Sequence, residues 1–209
     1  MAVLRSMEQT SIVRNLARWI NENKWRPSLT VLYDLCSYGN PGESQRGALY
    51  MGEKQKGRGR RTQVAQADIL VRREDSHTVE LVVEVEFRKT KSGEAIAPRP
   101  KDLTGLLLAP AAADNHTPSY EYRNRYELRD TLIVVVTAYA THQMLQEDRQ
   151  FANKLFHRFH VAECGVRELC VCGGATQQEV EDCFRELVRS RFFTGSSGRH
   201  DSGALDGFG

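Results

Sequence analysis

The strongest constraint on the fold of this chain is an unbroken run of five aliphatic residues, 132–136, which reads Leu-Ile-Val-Val-Val. Such a continuous β-branched run is typical of a central strand that is buried on both faces. Helical spacing of apolar residues predicts helices over 7–24 and 142–159, and a capping-box pattern at Thr176 predicts the start of a last helix. The sequence therefore predicts an α/β fold with a central sheet.

Two further strands are predicted over 63–73 and 78–89, and the polar residues between them favour an antiparallel hairpin. Side chains alternate between the two faces of a strand, so Glu84 and Glu86 share one face of the second strand. Asp68 lies in the first strand, and an antiparallel neighbour can bring it beside these two acids. Residues 111–126 are predicted to form a polar connection that leads to the strand at 132–136.

Carboxylates in so apolar a strand need a physical reason. Ionised carboxylates in a half-buried sheet repel one another and lose hydration, which costs several kcal/mol per ion unless a cation or donors compensate. A hard divalent cation such as Mg2+ takes carboxylate oxygens and water as ligands. The acids predict a metal site, and the alternative is an exposed sheet face or a salt-bridge network with Arg72 and Arg88.

The order of these features resembles the PD-(D/E)xK nuclease superfamily. The pattern is a helix, a hairpin with Asp68 and then Glu-x-Glu, a helix near Lys101, a buried strand and a helix, with 15 residues between Asp68 and Glu84. The resemblance covers roughly residues 7–160. It implies a restriction-endonuclease-like three-layer fold, with a central mixed β-sheet flanked by helices, and Mg2+-dependent hydrolysis of DNA in a restriction, defence or repair setting. We expect that Mn2+ can replace Mg2+ as the cofactor.

The resemblance also implies roles for individual residues. Asp68 and Glu84 match the two metal-binding acids, and Glu86 is a further ligand or a group that orients water. The chain departs from the motif at two positions, since Glu86 stands where the motif has Lys and Ala67 stands where it has Pro. A catalytically inactive nucleic-acid-binding or assembly subunit of the same fold is therefore the alternative function.

Two other groups could complete the site. Lys101 or Lys89 could supply the cation that the motif lacks, and we favour Lys101 because Lys89 faces away from Glu86 by alternation. The superfamily often adds an acid from the first helix, and either Glu8 or Glu22 could fill that role.

A basic, glycine-containing segment precedes the acidic strands. Its five cations within eight residues are suited to contacting DNA phosphates, although a solvated loop is the simpler interpretation. The predicted nucleic-acid-binding residues are Lys54, Lys56, Arg58, Arg60 and Arg61.

The bulk composition is that of an ordinary globular protein, with 40% hydrophobic and 27% charged residues, and the net charge of +2 says little about partners. We expect one domain over 1–193 and a disordered tail over 194–209. No segment is apolar enough for a signal peptide or a membrane span, and the five cysteines are irregularly spaced, so we expect a cytoplasmic protein with reduced thiols. We expect the protein to form a homodimer if it cuts both strands of DNA.

Overall fold

The computed structural model describes residues 2–33, 48–54, 62–76, 78–88, 94, 120–124, 127–158 and 160–193. The helices and strands in chain order are α1 (Ala2–Glu22), β1 (Leu29–Tyr33), β2 (Ala48–Lys54), β3 (Thr62–Gln66), β4 (Ile69–Arg73), β5 (Thr78–Phe87), β6 (Tyr120–Asn124), β7 (Glu127–Ala138), α2 (His142–Arg158), β8 (Val166–Gly174) and α3 (Gln177–Phe192). A short 3-10 helix, Val161–Cys164, precedes β8. The helix predicted near Lys101 and the predicted tail 194–209 lie outside the described residues.

Five of the strands form a mixed sheet in the order β1-β4-β5-β7-β8. The pairs β1–β4 and β4–β5 are antiparallel, whereas β5–β7 and β7–β8 are parallel. The aliphatic run 132–136 lies in β7 between two parallel neighbours, and none of its residues is more than 3% exposed. The predicted central strand and the predicted β4–β5 hairpin are both confirmed.

Helices cover both faces of this sheet. On one face, α1 and α3 place Leu16 and Phe184 in a core with Val83 and Val134. On the other face, α2 places Leu145 and Leu155 in a separate core with strand residues of the opposite parity. The apolar stripe of each helix therefore has a sheet surface to cover, and the predicted α/β fold with a central mixed sheet flanked by helices is confirmed.

The prediction of one strand over 63–73 was wrong. The segment is two strands, β3 and β4, which belong to different sheets and are separated by Ala67 and Asp68. β3 pairs with β2, and β2 also pairs with β6, so these three form a second antiparallel sheet. β6 lies within the segment 111–126 that was predicted as a polar connection, and this prediction was also wrong for residues 120–124.

The helix ends follow local signals. α3 begins with the predicted capping box, in which the Thr176 hydroxyl accepts from the Glu179 main-chain N–H at 3.2 Å and the Glu179 carboxylate accepts from the Thr176 N–H at 3.1 Å. α2 is described as far as Arg158, and residue 159, its predicted end, lies outside the described residues. α1 begins earlier than predicted, at Ala2, and ends at Glu22.

None of the helices in the described part of the chain is both long enough and apolar enough to cross a bilayer.

Candidate functional site

The start of β4 determines where Asp68 lies. β4 begins at Ile69, one residue after Asp68, and Ile69 pairs with Val83 of β5. Continuing this antiparallel register by one residue sets Asp68 across from Glu84. The observed register ends at Ile69 and Val83, so Asp68 and Glu84 are the next residues of the two chain segments beyond the edge of the β4–β5 ladder.

Asp68 is bound to the main chain of β5 at Val85, the residue between the two glutamates. The Val85 N–H donates to Asp68 Oδ2 at 2.7 Å. Val85 lies two residues beyond Val83, the last β5 residue that pairs with β4, so a side chain replaces a strand partner here. A short hydrogen bond from a main-chain N–H to a carboxylate holds Asp68 at a fixed position.

A third group, Gln9 of α1, reaches the same place. Its Nε2 lies 3.3 and 3.4 Å from the two carboxylate oxygens of Asp68 and 3.2 Å from the Val85 carbonyl oxygen. One amide nitrogen thus lies among three oxygens, a carboxylate pair and a main-chain carbonyl. Oxygen atoms of these two kinds are also the ligands that Mg2+ and Mn2+ accept.

Gln9 was not predicted from the sequence, which favoured Glu8 or Glu22 as the first-helix acid. The side chain of Glu8 lies outside the described residues. Glu22 is the last residue of α1 and is exposed. Because a helix rises ~1.5 Å per residue, Glu22 lies about 20 Å along the axis from Gln9 and does not reach the site.

Glu84 and Glu86 lie near the carboxyl end of β5. Both are half-buried, and they alternate with buried residues. In the parallel β7 they pair with Val135 and Thr137. Ligand sites in α/β sheets form where parallel strands end, so these carboxylates occupy the edge of the sheet at which chemistry is usual.

The predicted three-acid metal cage is not assembled among the described residues. Within them, no group of three or more His, Cys, Asp or Glu side chains is arranged to hold a metal ion. The structure bonds Asp68 to the main-chain N–H of Val85, the residue between Glu84 and Glu86 in the sequence, and it places the Gln9 amide among the oxygens of Asp68 and Val85. The assignment of Asp68, Glu84 and Glu86 as metal ligands stays a prediction.

A buried arginine extends the polar surface on the α2 side of the sheet. Arg88 follows the last residue of β5 and is 5% exposed. Its Nη2 lies 2.9 Å from a carboxylate oxygen of Glu147, and its Nε lies 3.5 Å from Asp148 Oδ2. Arg88 therefore links the end of β5 to the first half of α2.

Asp148 is the more consequential of these two acids because it is 7% exposed. Burial raises its pKa above the usual value, and the nearby Arg88 guanidinium and the Thr137 hydroxyl act in the opposite direction. Sequence analysis missed Asp148, although it occupies an inward position of the α2 stripe with Leu145, Ala152 and Leu155. A carboxylate at a core position of a helix was the available signal.

Most of the predicted cationic residues lie in parts of the chain that the structure does not describe. Lys56, Arg58, Arg60, Arg61 and Lys101 lie outside the described residues, as does Lys89. Lys54 is the last residue of β2, and its side chain is outside the described part.

Protein-family models, curated proteins and solved structures gave no significant match to this chain.

Proposed function

We propose that the protein is a Mg2+-dependent nuclease that hydrolyses DNA phosphodiester bonds. The observation that carries the proposal is the position of Asp68, whose carboxylate is hydrogen-bonded to the main chain of Val85 between Glu84 and Glu86. Glu84 and Glu86 flank Val85 along β5, and Asp68 comes directly before β4, so the proposal brings these three acids together at the carboxyl end of β5. This is the arrangement from which a carboxylate site for a divalent cation is built.

The topology supports the same proposal. α1 precedes an antiparallel unit of β1, β4 and β5, and β7 then lies parallel to β5 with α2 after it. This order of the described elements is the support that the fold gives to the PD-(D/E)xK part of the proposal, and the helix predicted near Lys101 lies outside the described residues. We therefore include a restriction-endonuclease-like fold in the proposal, as a finer assignment than the α/β class.

The donor set suits the proposed metal. Asp68 and Glu84 would hold Mg2+, and the Val85 carbonyl lies within the same group of oxygens that surrounds Gln9 Nε2. Mn2+ can substitute because it accepts the same hard oxygen ligands. When bound, the cation supplies charge neutralisation at the phosphate and a more acidic water.

The protein's own side chains have separate tasks. Glu86 is the proposed group that orients water, since it lies on the same face as Glu84 two residues further along β5. Gln9 must turn its amide so that Oε1, rather than Nε2, faces the site, because an N–H donor and a cation cannot occupy the same place. Lys101 and the 54–61 segment are the proposed phosphate contacts.

A cleavage assay tests the proposal. Supercoiled plasmid DNA is incubated with the wild type, with Asp68→Asn and with Glu84→Gln, in Mg2+, in Mn2+ and in EDTA. We expect nicking by the wild type with either metal, and loss of nicking in both variants and in EDTA. Glu163→Gln removes an exposed carboxylate remote from the site and should cleave like the wild type. Undiminished cleavage by both site variants would refute the assignment.

One observation favours the inactive subunit as a second candidate. The described residues hold no group of three metal-ligating side chains, and an amide nitrogen occupies the oxygen cluster. On this alternative, Asp68 serves only to complete the hydrogen bonds of β5.

The two candidates differ in what metal does to DNA binding. We expect binding by either protein to weaken when the 54–61 cations are neutralised, with a shallower dependence on salt. Binding without cleavage in Mg2+ and in Mn2+, at affinities that metal does not change, would select the inactive subunit.

A further inference from the structure

Three aromatic rings from segments far apart in the chain meet at the end of β5 remote from the candidate site. Trp25 follows α1, whereas Phe192 is the last residue of α3 and Phe193 is its C-cap. The Trp25 and Phe192 rings are stacked, with centroids 4.1 Å apart and an angle of 15° between their planes. Phe193 meets Trp25 edge-on, with centroids 6.5 Å apart, and is 40% exposed. Phe193 is therefore the solvent-exposed ring of a fixed cluster.

A buried carboxylate holds this cluster in place. Glu80, the third residue of β5, is 6% exposed and accepts from Trp25 Nε1 at 2.6 Å. The same carboxylate accepts from Arg73 Nε at 2.7 Å and lies 3.2 Å from Arg26 Nε. The side chains of Arg26 and Arg73 remain 56% and 41% exposed. One buried negative charge thus anchors an indole ring and two exposed guanidinium groups.

Further arginines lie beside the rings at the end of α3. The Arg167 guanidinium is 5.5 Å from the centroid of the Phe192 ring. Arg189 is exposed and lies four residues before Phe193, whose main-chain N–H donates to the Arg189 carbonyl at 3.0 Å. Residues at this spacing share one face of a helix, so Arg189 and Phe193 are neighbours on the surface.

These groups form one positively charged surface, which we call the aromatic–arginine surface. In the described part of the chain, five arginines belong to it and three acids are in ion pairs with them. The rings are those of Trp25, Phe192 and Phe193, the arginines are Arg26, Arg73, Arg167, Arg189 and Arg191, and the acids are Glu80, Glu168 and Asp130. The excess of arginines makes the surface complementary to an anionic partner.

The exposed ring narrows the choice among anionic partners. Guanidinium groups bind phosphates, and an exposed aromatic ring can stack on a nucleobase, which together hold unpaired nucleotides with little regard to sequence. Bases within a duplex are stacked on one another and do not offer a face to such a ring. An acidic peptide pairs with the arginines but has no nucleobase for Phe193. The combination of features therefore favours single strands.

We propose that the aromatic–arginine surface binds single-stranded nucleic acid, with Phe193 stacked on an unpaired base and the exposed arginines in contact with the flanking phosphates. This surface differs in chemistry from the basic 54–61 segment, which contains no aromatic residue. It also requires neither a metal ion nor the acids at the other end of β5. The inference is thus independent of the proposed nuclease activity.

Oligonucleotides with and without bases test the stacking contact. Fluorescence anisotropy measures the binding of a labelled oligothymidylate of about 15 nucleotides, and of an abasic oligonucleotide of the same length, in EDTA. We expect the wild type to bind the oligothymidylate at least about fivefold more tightly than the abasic strand. Phe193→Leu should lose this preference and Phe193→Trp should retain it. Equal binding of both strands by the wild type, or an undiminished preference in Phe193→Leu, would overturn the proposal.

Arg189→Gln tests the phosphate contacts. We expect weaker binding of both oligonucleotides and a shallower dependence on salt, with the preference for bases unchanged. Lys154→Gln, which removes an exposed cation from the helix on the other face of the sheet, is the matched control and should bind like the wild type. Wild-type affinity in Arg189→Gln would contradict the proposed phosphate contact.

Two further measurements separate this surface from other partners and from the candidate site. Polyglutamate that competes as effectively as oligothymidylate would overturn the proposal in favour of an acidic peptide. Asp68→Asn should keep the full preference for bases, because the two sites lie at opposite ends of β5. A preference that disappears in Asp68→Asn but survives in Phe193→Leu would place base binding at the candidate site instead.

Discussion

At the scale of single residues, Asp68 does two things that can be separated. Its carboxylate accepts the Val85 N–H at 2.7 Å, which is a contribution to the fold. Its negative charge at the carboxyl end of β5 is what the proposed metal site requires. An isosteric substitution keeps the first property and removes the second.

We therefore predict different effects for Asp68→Asn and Asp68→Ala. Asparagine retains an acceptor oxygen for Val85, whereas alanine leaves a part-buried N–H unpaired, at a cost of about 1–3 kcal/mol in the free energy of unfolding. Urea unfolding of both variants in EDTA measures this. Equal destabilisation by the two substitutions would show that the hydrogen bond to Val85 is not what Asp68 contributes.

Gln9→Glu tests the oxygen cluster without removing any proposed ligand. A carboxylate at this position would repel Asp68 in the absence of metal and would become a further oxygen ligand in its presence. We predict a lower Tm than the wild type in EDTA and a larger rise of Tm when Mg2+ is added.

The matched control is Gln9→Leu, which removes the amide but adds no charge. It should lower Tm without enlarging the response to Mg2+. A response of Gln9→Glu no greater than that of the wild type would contradict a cation position at this cluster.

At the scale of helices and strands, most of the sheet and its helices could be predicted. The strands β5, β7 and β8 and the helices α2 and α3 have clear periodicity, because each buries one face or both. The sequence does not predict that the segment 63–73 divides at Ala67 and Asp68, because residues with high strand propensity continue on both sides of this point. β3 and β4 are separate strands only because β3 pairs with β2 and β4 pairs with β5. The second sheet depends on such long-range pairing as well.

Some side chains of the candidate site could likewise be predicted from the sequence, and others could not. Asp68, Glu84 and Glu86 were singled out because charge is unusual in an apolar strand. Gln9 and Asp148 were missed, although each is a polar residue at an inward position of a helix stripe. Gln9 precedes Ile12, Val13 and Leu16 at helical spacing, and all three are buried. Polar residues within an apolar stripe were as informative as acids within an apolar strand.

Arg88→Met tests how β5 is joined to α2. Methionine preserves the length of the side chain but leaves Asp148 buried without its cation, and breaking a buried pair in this way costs about 3 kcal/mol or more at neutral pH. Burial already raises the pKa of Asp148. Protonation of a group with a raised pKa favours the folded state, so the deficit should shrink as the pH is lowered.

Urea unfolding of the wild type and Arg88→Met over a range of pH checks this. Arg88→Met combined with Asp148→Asn should recover part of the lost stability. If the loss of unfolding free energy in Arg88→Met stays constant with pH, and the double variant recovers none of it, Arg88 does not stabilise the fold through Asp148.

Arg191→Met tests the contact between β8 and α3. Arg191 donates to both carboxylate oxygens of Glu168, at 2.8 and 2.9 Å, and lowers the pKa of Glu168 from 4.5 to about 2. A lowered pKa stabilises the fold above pH 4.5, and this contribution is lost as the pH falls from 4.5 towards about 2. Because the pair is partly exposed, we expect a loss of no more than about 1 kcal/mol at neutral pH.

The difference between Arg191→Met and the wild type should therefore diminish below pH 4.5. Lys154→Met, which removes an exposed cation of α2, should show no such trend. Urea unfolding at several pH values distinguishes the two variants. A difference in unfolding free energy between Arg191→Met and the wild type that grows as the pH falls would contradict the prediction.

At the scale of the whole molecule, the two ends of β5 have different tasks. Near its first residue, buried Glu80 accepts from Trp25 Nε1 at 2.6 Å and Arg73 Nε at 2.7 Å, and lies 3.2 Å from Arg26 Nε. These contacts join the end of α1 and the β4–β5 hairpin. At the other end lie the acids of the candidate site. The Glu80 contacts are thus at one edge of the sheet, and the proposed chemistry is at the other.

The central claim is that this second edge binds a divalent cation. Crystals soaked in Mn2+ and measured for anomalous scattering test it most directly. We predict a peak about 2 Å from carboxylate oxygens of Asp68 and Glu84, with the Gln9 amide nitrogen turned away. A well-ordered electron-density map in which Gln9 Nε2 still donates to Asp68, with no anomalous peak beside Glu84, would contradict the proposed cation site.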